Sequence, residues 1–486
     1  MKNIFAKMIY HITRDSRKEN ALRLNVETAL LATGGLHPGD KIRVEFSNSV
    51  MRVLKDPEGD KIVSRKVRKT MIVPALDIRG PELQQLFRYK EEVVLTVGTD
   101  CVEVTRLEPA RLLEISGDID RPNPPLAQGD KYKVGSCFSG AGILDHAAEA
   151  TGFFKNEYVL DIDVIGLEVN HKNRPDSLVI NGPIQKVPHQ WLPPVDVKMT
   201  GIPCQHYSSV GKGDDITDEN TATVVHHIIR QLAWELPKAL VVEEVPRFQG
   251  SFAHEKLVRI MEPLGYRCYE DVLDAYDFGS IPMRKRYWGV FVKGDVPFTF
   301  PKPQIRKTNR EQVKDHLKVP IMEREWIDIR TNATFRYLIE GKKSGWALKT
   351  GDNSTQVVGL EATKMRCFTA GYYRMRSEGP FLRHPDNPFL VSLFTPKEIA
   401  SFLGISPDYN LYGVSRRKVG ELLGQSVCVR TAKSILNSLA LTLMELDIRA
   451  TRRLNSAKAK LTQSMTLKND SSAAERYGQM VLNFTA

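Results

Sequence analysis

The architecture of this chain is organised around one short segment, Met199-Thr200-Gly201-Ile202-Pro203-Cys204-Gln205. The segment continues the apolar run 195–200, which predicts a buried β-strand, and its glycine and proline predict a loop at the strand end. A thiol in such a loop, ahead of a helix, ionises readily near neutral pH and is intrinsically nucleophilic. Cys204 is therefore a candidate nucleophile, and the alternative is an inert cysteine in the core.

The neighbouring segments alternate between apolar runs and helical patterns. Residues 134–138 and 239–242 are short apolar runs that predict strands, and residues 143–150 and 225–236 have the spacing of helices. Strands that alternate with helices predict an α/β fold with a doubly wound, mostly parallel sheet. Ligands gather at the carboxyl ends of such strands, so Gly140, Glu168, Cys204 and Glu243 are expected at one edge.

A glycine turn follows the first of these predicted strands. Ser139-Gly140-Ala141-Gly142 between a strand and a helix is typical of backbone that approaches an adenosine-containing cofactor. Asp145 stands where a dinucleotide fingerprint has its third glycine, which argues against a plain NAD site. Glu168 is expected at the end of a second apolar strand, where it could accept hydrogen bonds from both ribose hydroxyls. The alternative for Glu168 is a solvated carboxylate.

Length, charge and cysteine content restrict the class of protein. A chain of 486 residues exceeds one core, and two or three domains are expected. The net charge of +11 favours a polyanionic partner such as nucleic acid. The 6 cysteines form no CxxC pair, which predicts neither a disulfide framework nor a metal site. No apolar run is long enough for a membrane span, and the scattered cysteines fit a reducing compartment, so we expect a cytoplasmic protein without membrane contact.

Residues 1–125 are predicted to form a β-rich N-terminal domain that ends at a proline-rich linker. Two halves with a period of roughly 50 residues suggest an internal repeat. The pattern of a short strand, a helical turn and Leu36-His37-Pro38-Gly39-Asp40 resembles the swapped-hairpin DNA-binding domains of bacterial transition-state regulators and antitoxins. That resemblance implies DNA binding by this region, and the alternative is a packing role.

Seven motifs in order resemble the cytosine-5 DNA methyltransferases that use S-adenosylmethionine. The motifs are Phe138-Ser139-Gly140-Ala141-Gly142, Glu168, Gly201-Ile202-Pro203-Cys204-Gln205, Glu243-Glu244-Val245, Arg284-Lys285-Arg286, Thr395-Pro396-Lys397-Glu398 with Leu403-Gly404, and Gly424-Gln425-Ser426-Val427. The resemblance implies a Rossmann-like catalytic core over residues 131–300 and 366–440, with an inserted target-recognition domain over residues 301–365. Residues 441–486 remain as a basic C-terminal extension.

The resemblance implies a role for each motif residue. Cys204 would add to carbon 6 of a flipped cytosine, and Glu243 would act as the acid at ring nitrogen 3. Arg286, with Arg284 behind it, would hold the base carbonyl, since a guanidinium has the fork geometry for it. The alternative for the two arginines is a surface basic patch. The expected S-adenosylmethionine contacts are Phe138, Gly140, Gly142, Glu168, Ile184, Pro203 and Ser426.

Four residues depart from the family pattern, namely Pro183, Glu244, Pro282 and Gln425. Glu244 stands where an asparagine normally follows the catalytic glutamate. Because side chains alternate along a strand, Glu244 is expected to point away from Glu243.

The resemblance implies a monomeric enzyme, bacterial or phage-encoded and associated with the nucleoid, whose partner is double-stranded DNA. A cognate restriction endonuclease is a candidate second partner. The expected DNA contacts of residues 301–365 are Arg306, Lys307, Arg310, Lys342, Lys343, Trp346 and Lys349. Two alternatives stay open. The first is a tRNA cytosine-5 methyltransferase, because Cys367-Phe368-Thr369 followed by Gly371-Tyr372-Tyr373 is similar to the tRNA-methylating branch of the family. The second alternative is a DNA-binding regulator with weak catalysis.

Overall fold

A computed structural model describes residues 3–16, 21–47, 49–68, 71–108, 124–127, 129–203, 219–303, 310–332, 335, 355–374 and 379–482. Within these ranges, no helix combines the length and the apolar character that a bilayer crossing needs.

The strands of the described residues fall into four sheets. In chain order they are β1 (Ile4–His11), β2 (Thr13–Arg14), β3 (Leu22–Glu27), β4 (Lys41–Phe46), β5 (Met51–Lys55), β6 (Lys61–Ile62), β7 (Ser64–Arg68), β8 (Met71–Gly80), β9 (Glu92–Gly98), β10 (Cys101–Arg106), β11 (Tyr132–Cys137), β12 (Phe154–Asp161), β13 (Leu178–Asn181), β14 (Val197–Gly201), β15 (Ala239–Glu244), β16 (Tyr266–Asp274), β17 (Pro282–Met283), β18 (Lys285–Lys293), β19 (Ile327–Asp328), β20 (Val357–Val358), β21 (Met365–Arg366), β22 (Phe381–Arg383) and β23 (Leu390–Ser392).

The α-helices differ widely in length. They are α1 (Leu30–Thr33), α2 (Leu83–Leu86), α3 (Ile143–Glu149), α4 (Val164–Asn173), α5 (Glu219–Glu235), α6 (Phe252–Met261), α7 (Pro396–Phe402), α8 (Arg416–Gln425) and α9 (Val429–Leu482). The last is a single helix of 54 residues, which begins in the core and continues through the predicted C-terminal extension.

A 13-stranded sheet contains most of these strands, in the order β16-β18-β15-β14-β11-β12-β13-β1-β9-β10-β5-β4-β6. The neighbouring strands β15, β14, β11, β12 and β13 are parallel, and β18 joins antiparallel at one side. One face packs against α3 and α9, and the opposite face packs against α5 and α6. The predicted doubly wound α/β fold is confirmed, because apolar strands alternate with amphipathic helices through this half of the chain.

The N-terminal strands contain the repeat that the sequence suggests. The series β3, α1, β4, β5 is followed by the equivalent series β8, α2, β9, β10. The two series face each other: β3 pairs with β8, and β5 pairs with β10. Arg52 lies opposite Glu103 in the second pair, and their side chains form an ion pair at 2.9 Å.

The repeat is joined to the catalytic sheet as well as to its own partner strands. Strand β1 runs parallel to β13, with Ala6 opposite Val179 and Met8 opposite Asn181. A shared core combines apolar residues of the repeat with Val159, Leu167 and Val179 of the catalytic half. The sheet and the core are therefore continuous across the predicted boundary. Residues 121–123 of the predicted linker, which spans 121–125, lie outside the described residues.

Strands β19 and β20 of the predicted recognition segment form a small sheet with β22 and β23, which lie beyond residue 365, over a separate core. Arg310 is the predicted DNA contact in this segment that the structure describes. Its guanidinium lies 3.6 Å from the ring centroid of Tyr276 and donates a hydrogen bond to the carbonyl of that residue. The other predicted DNA contacts in this segment lie outside the described residues.

Candidate active site

The glycine loop after β11 is held in a conformation that few side chains tolerate. Phe138, Gly140 and Gly142 all have positive φ, at 55°, 50° and 76°. A positive φ at a phenylalanine is uncommon and marks a loop that its surroundings fix. Helix α4 packs directly on the loop, because a Cβ added at Gly166 would lie 3.0 Å from the carbonyl carbon of Gly140.

Glu168 does not lie at a strand end, and the prediction for its position was wrong. It belongs to α4, whose first turn is capped by Asp163, and only 3% of Glu168 is exposed. Its carboxylate accepts hydrogen bonds from the Thr28 hydroxyl at 2.7 Å and the Ala29 amide at 2.8 Å, and it pairs with Arg68 at 3.2 Å. Glu168 therefore fastens the N-terminal repeat to α4.

The strand-end carboxylate is Asp161, which the sequence reasoning missed. Its carboxylate accepts hydrogen bonds from the Gly140 amide at 2.7 Å and from the Asp163 amide at 2.8 Å. Burial raises the pKa of Asp161, and these amides act in the opposite direction. Ile162, the next residue, is 67% exposed beside the glycine loop. The signal in the sequence was Asp163, a typical helix N-cap, which starts the helix before Glu168.

Replacing Glu168 by glutamine is expected to lower the free energy of unfolding by about 1–3 kcal/mol, because a neutral amide leaves buried donors unsatisfied. The matched control is Glu103→Gln, which weakens the more exposed pair with Arg52 and should cost less than about 1 kcal/mol. Urea unfolding of both variants checks this. If both variants lost the same free energy of unfolding, Glu168 would not be the buried contact that stabilises the packing of the repeat against α4.

Glu243 and Arg286 form the charged pair of the site. Glu243 lies near the end of β15, is 8% exposed, and its Oε1 lies 2.8 Å from Nε of Arg286. Burial raises the pKa of Glu243, and the charges of Arg286 and Arg284 partly offset that rise. The carboxyl therefore holds a proton more readily than a solvated glutamate, as an acid catalyst requires.

The loop that carries Cys204 starts beside this carboxyl. Gly201 is the register partner of Glu243, and a Cβ at Gly201 would lie 3.6 Å from Oε2 of Glu243. The chain then continues through Ile202, which is buried, and Pro203. Cys204 itself lies outside the described residues, so its placement remains a prediction.

Arg284 does not share the role of Arg286. It is 2% exposed and donates hydrogen bonds to the carbonyls of Phe368 at 3.1 Å and Gly424 at 2.9 Å. Its guanidinium therefore ties the β17–β18 corner to the end of α8 and is not available for a base carbonyl. The prediction that Arg284 holds the base is corrected to a positioning role, since Arg284 lies between the two strands and not on β18.

The Glu244 side chain lies on the face of β15 opposite to that of Glu243, as predicted. Leu240 and Val242, which lie on the same face of the strand as Glu244, pack with α5 and α6. Ala239 and Val241, on the other face, pack with α3 and α9. Burial raises the pKa of Glu244 to about 8, and its carboxylate accepts a hydrogen bond from the Val245 amide. The departure from the family pattern at this position thus puts a buried, largely neutral carboxyl behind Glu243.

The remaining predicted contacts lie around the same edge. Ile184 follows β13 with its side chain in the core, so it can offer a ligand only its backbone. Ser426 ends α8, and its hydroxyl donates to the carbonyl of Leu423 at 2.8 Å. In the Thr395 motif, Glu398 caps α7 and also accepts a hydrogen bond from the Lys318 amide at 2.8 Å, which links the recognition segment to the core.

Comparisons with known proteins agree with this geometry. A family model described as C-5 cytosine-specific DNA methylase matches residues 132–440. The chain is 25% identical over 326 residues to type II methyltransferase M.MspI of Moraxella sp, across 65% of this chain and 72% of that protein. It is 26% identical over 315 residues to type II methyltransferase M.NlaX of Neisseria lactamica, across 63% of this chain and 95% of that protein.

Solved structures share the fold. The S. pombe Dnmt2 methyltransferase has a TM-score of 0.52 at 18% identity and is similar over 65% of this chain and 99% of its own. The Entamoeba histolytica methyltransferase EhMeth has a TM-score of 0.50 at 20% identity, over 65% and 98%. The family match begins where β11 begins and leaves the N-terminal repeat outside it. The chain belongs to the C-5 cytosine-specific DNA methylase family and is a DNA (cytosine-5-)-methyltransferase.

Proposed function

We propose that this enzyme methylates carbon 5 of a flipped cytosine in double-stranded DNA through a transient covalent bond to Cys204. The observation that carries the proposal is the ion pair of the buried Glu243 with the half-buried Arg286, beside Gly201 and three residues before the cysteine. This pair lies at the same edge of the sheet as the glycine loop, where ligands of parallel sheets bind.

The proposed reaction begins with a bond between the Cys204 sulfur and carbon 6 of the ring. The electron pair displaced from the ring accumulates toward nitrogen 3, where Glu243 donates its proton. Carbon 5 thereby becomes an enamine carbon that can accept a methyl group. After the methyl transfer, the proton on nitrogen 3 returns to Glu243. Loss of the proton on carbon 5 to solvent then restores the double bond between carbons 5 and 6 and expels the sulfur as a thiolate. Arg286 holds Glu243 in place and offers its remaining N–H groups to the base.

S-adenosylmethionine supplies an electrophilic methyl group when it is bound. The site fits such a ligand, because the positive-φ turn at Gly140 and Gly142 exposes backbone and a Cβ at Gly140 would meet nothing within 4 Å. Asp161 and the exposed Ile162 would hold the ribose and cover an adenine face. Phe138, Pro203 and Ser426 complete the proposed binding edge.

The target carbon is inaccessible inside a duplex, so the base must leave the helix, at a cost of a few kcal/mol. The proposed target-recognition segment, residues 301–365, would offset that cost through contacts with the DNA. The segment is linked to α7 of the core through the hydrogen bond from the Lys318 amide to Glu398, so contacts made by the segment would be coupled to the catalytic half.

A duplex that contains 5-fluorocytosine tests the covalent step, because fluorine on carbon 5 cannot leave as a proton does. With S-adenosylmethionine present, we expect a protein–DNA adduct that survives denaturation. Cys204→Ser should form no adduct, and the matched control Cys101→Ser should form as much as the unmodified protein. An adduct with Cys204→Ser would contradict the proposal, as would methyl transfer to tRNA in place of duplex DNA.

A further inference from the structure

A cluster of basic residues in the N-terminal repeat lies at the same edge of the sheet as the active site. Strand β1 is parallel to β13, so the carboxyl end of β1 points to the edge where the glycine loop and Glu243 lie. The turn before β9 is fastened to that end, because the Ile12 amide donates to the Glu91 carbonyl and the Lys90 amide donates to the Ile12 carbonyl, both at 2.9 Å.

The cluster, which we call the Tyr89 patch, consists of Arg14, Arg88, Tyr89 and Lys90. All four residues are exposed. The Arg14 guanidinium lies 4.5 Å from the ring centroid of Tyr89, and the Lys90 ammonium lies 5.5 Å from it. Lys90 has a positive φ of 64° at the tip of the turn. Two cations thus lie close to the tyrosine ring at the rim of the sheet.

The charges of the patch are not neutralised within the described part of the chain. The basic side chains elsewhere in the repeat mostly have an acidic partner, as Arg23, Arg43 and Arg52 do. The acidic residues adjacent to the patch in sequence pair with other arginines: Asp15 with Arg79, and Glu91 with Arg106. The Glu91 carboxylate also accepts a hydrogen bond from the Arg88 backbone amide at 2.6 Å, which leaves the Arg88 guanidinium without an ion pair among the described residues. Over the described residues, no ion pair joins Arg14, Arg88 or Lys90 to a carboxylate.

We propose that the Tyr89 patch binds the phosphate backbone of duplex DNA that flanks the methylated site. The inference rests on the proposed function, since it extends the same DNA beyond the catalytic pocket. Four to five strand intervals separate β14 from the patch, or about 20–25 Å at the usual strand spacing. That span corresponds to roughly six to seven base pairs at about 3.4 Å each. The N-terminal repeat would thereby lengthen the footprint on one side of the target.

The test compares two triple variants with the same change of charge. The patch variant is Arg14→Ala/Arg88→Ala/Lys90→Ala. The control is Lys131→Ala/Lys155→Ala/Arg267→Ala, which removes exposed basic residues at the opposite edge of the sheet. Bisulfite sequencing of DNA from cells that express the protein first gives the target sequence. Affinity is then measured on duplexes of about 30 and about 10 base pairs centred on it, over a range of salt concentrations.

On the longer duplex, we expect the patch variant to lose about tenfold in affinity near 0.1 M salt, and the slope of log affinity against log salt to fall by about 2–3. On the shorter duplex, which ends before the patch, the patch variant and the control should bind equally. Equal losses for both variants on the longer duplex, with methylation intact, would overturn the patch and leave the proposed function standing. The proposal would also be overturned if the patch variant lost affinity for a folded RNA but kept its affinity for the longer duplex. Failure of the unmodified protein to bind duplex DNA at all would instead contradict the proposed function.

Discussion

Glu243→Gln is expected to reduce the rate of methyl transfer by about 10²–10⁴, the usual contribution of a positioned acid. Glutamine keeps the size of the side chain and can still donate a hydrogen bond to ring nitrogen 3. It cannot transfer a proton, so the negative charge that thiolate addition places on the ring stays uncompensated. Single-turnover methylation of a duplex measures the effect on the chemical step and separates it from product release.

The matched control for this variant is the adjacent residue, Glu244→Gln. Burial raises the pKa of Glu244 to about 8, so this carboxyl is mostly neutral near neutral pH and glutamine resembles it closely. The control should keep its methylation rate within about twofold, as expected for a substitution that leaves the charge and shape of the site unchanged. If Glu244→Gln lost as much activity as Glu243→Gln, the assignment of the acid to Glu243 would be wrong.

The pH profile gives a second measure of the same variant. Because burial raises the pKa of Glu243, the protonated acid is present at low pH and is lost as the pH rises through that pKa. The unmodified enzyme should therefore lose rate on the alkaline side through this residue. Glu243→Gln has no such group to titrate, and its alkaline limb from this source should disappear.

The sequence predicted the catalytic half well because the relevant signals are local. The apolar runs before Phe138 and before Glu243 both form buried parallel strands. A short apolar run bounded by turn residues is typical of such a strand. The polar residue at the end of such a strand then lies at the ligand edge, which explains why Glu243 and the glycine turn are neighbours of the same site.

The wrong assignments have a physical cause as well. Four apolar or small residues before Glu168 fit a strand or a helix equally, and only the cap at Asp163 separates the two. Arg284 and Arg286 have the same chemistry and are two positions apart. Only the packed structure shows that the Arg284 guanidinium donates its hydrogen bonds to backbone carbonyls. The pairing of β1 with β13 joins residues about 170 positions apart, and no local pattern encodes such a contact.

Lys198→Met is expected to lower the free energy of unfolding by about 3–5 kcal/mol, because it leaves a charge buried without its partner. Lys198 lies in β14, and neither its side chain nor that of Glu235 is exposed. Its ammonium pairs with Glu235 and donates to the Tyr158 hydroxyl at 2.7 Å, and that hydroxyl donates to the same carboxylate. Glu235 is the last residue of α5, so the pair fixes the helix that follows the Cys204 loop to the strand that precedes it.

The double variant Lys198→Met/Glu235→Gln separates the pair from the packing around it. It removes both charges and keeps an acceptor for Tyr158, so it should recover at least half of the stability that Lys198→Met loses, since a buried pair is costly chiefly when one partner is left alone. Lys133→Met on the neighbouring strand is the control, because the exposed Lys133 is only 3.7 Å from a half-buried Glu157 and their pair should contribute less than about 1 kcal/mol. Urea unfolding of the three variants decides the matter. If the double variant were no more stable than Lys198→Met, the loss of stability would come from the packing of the lysine stem and not from the buried charge of Glu235.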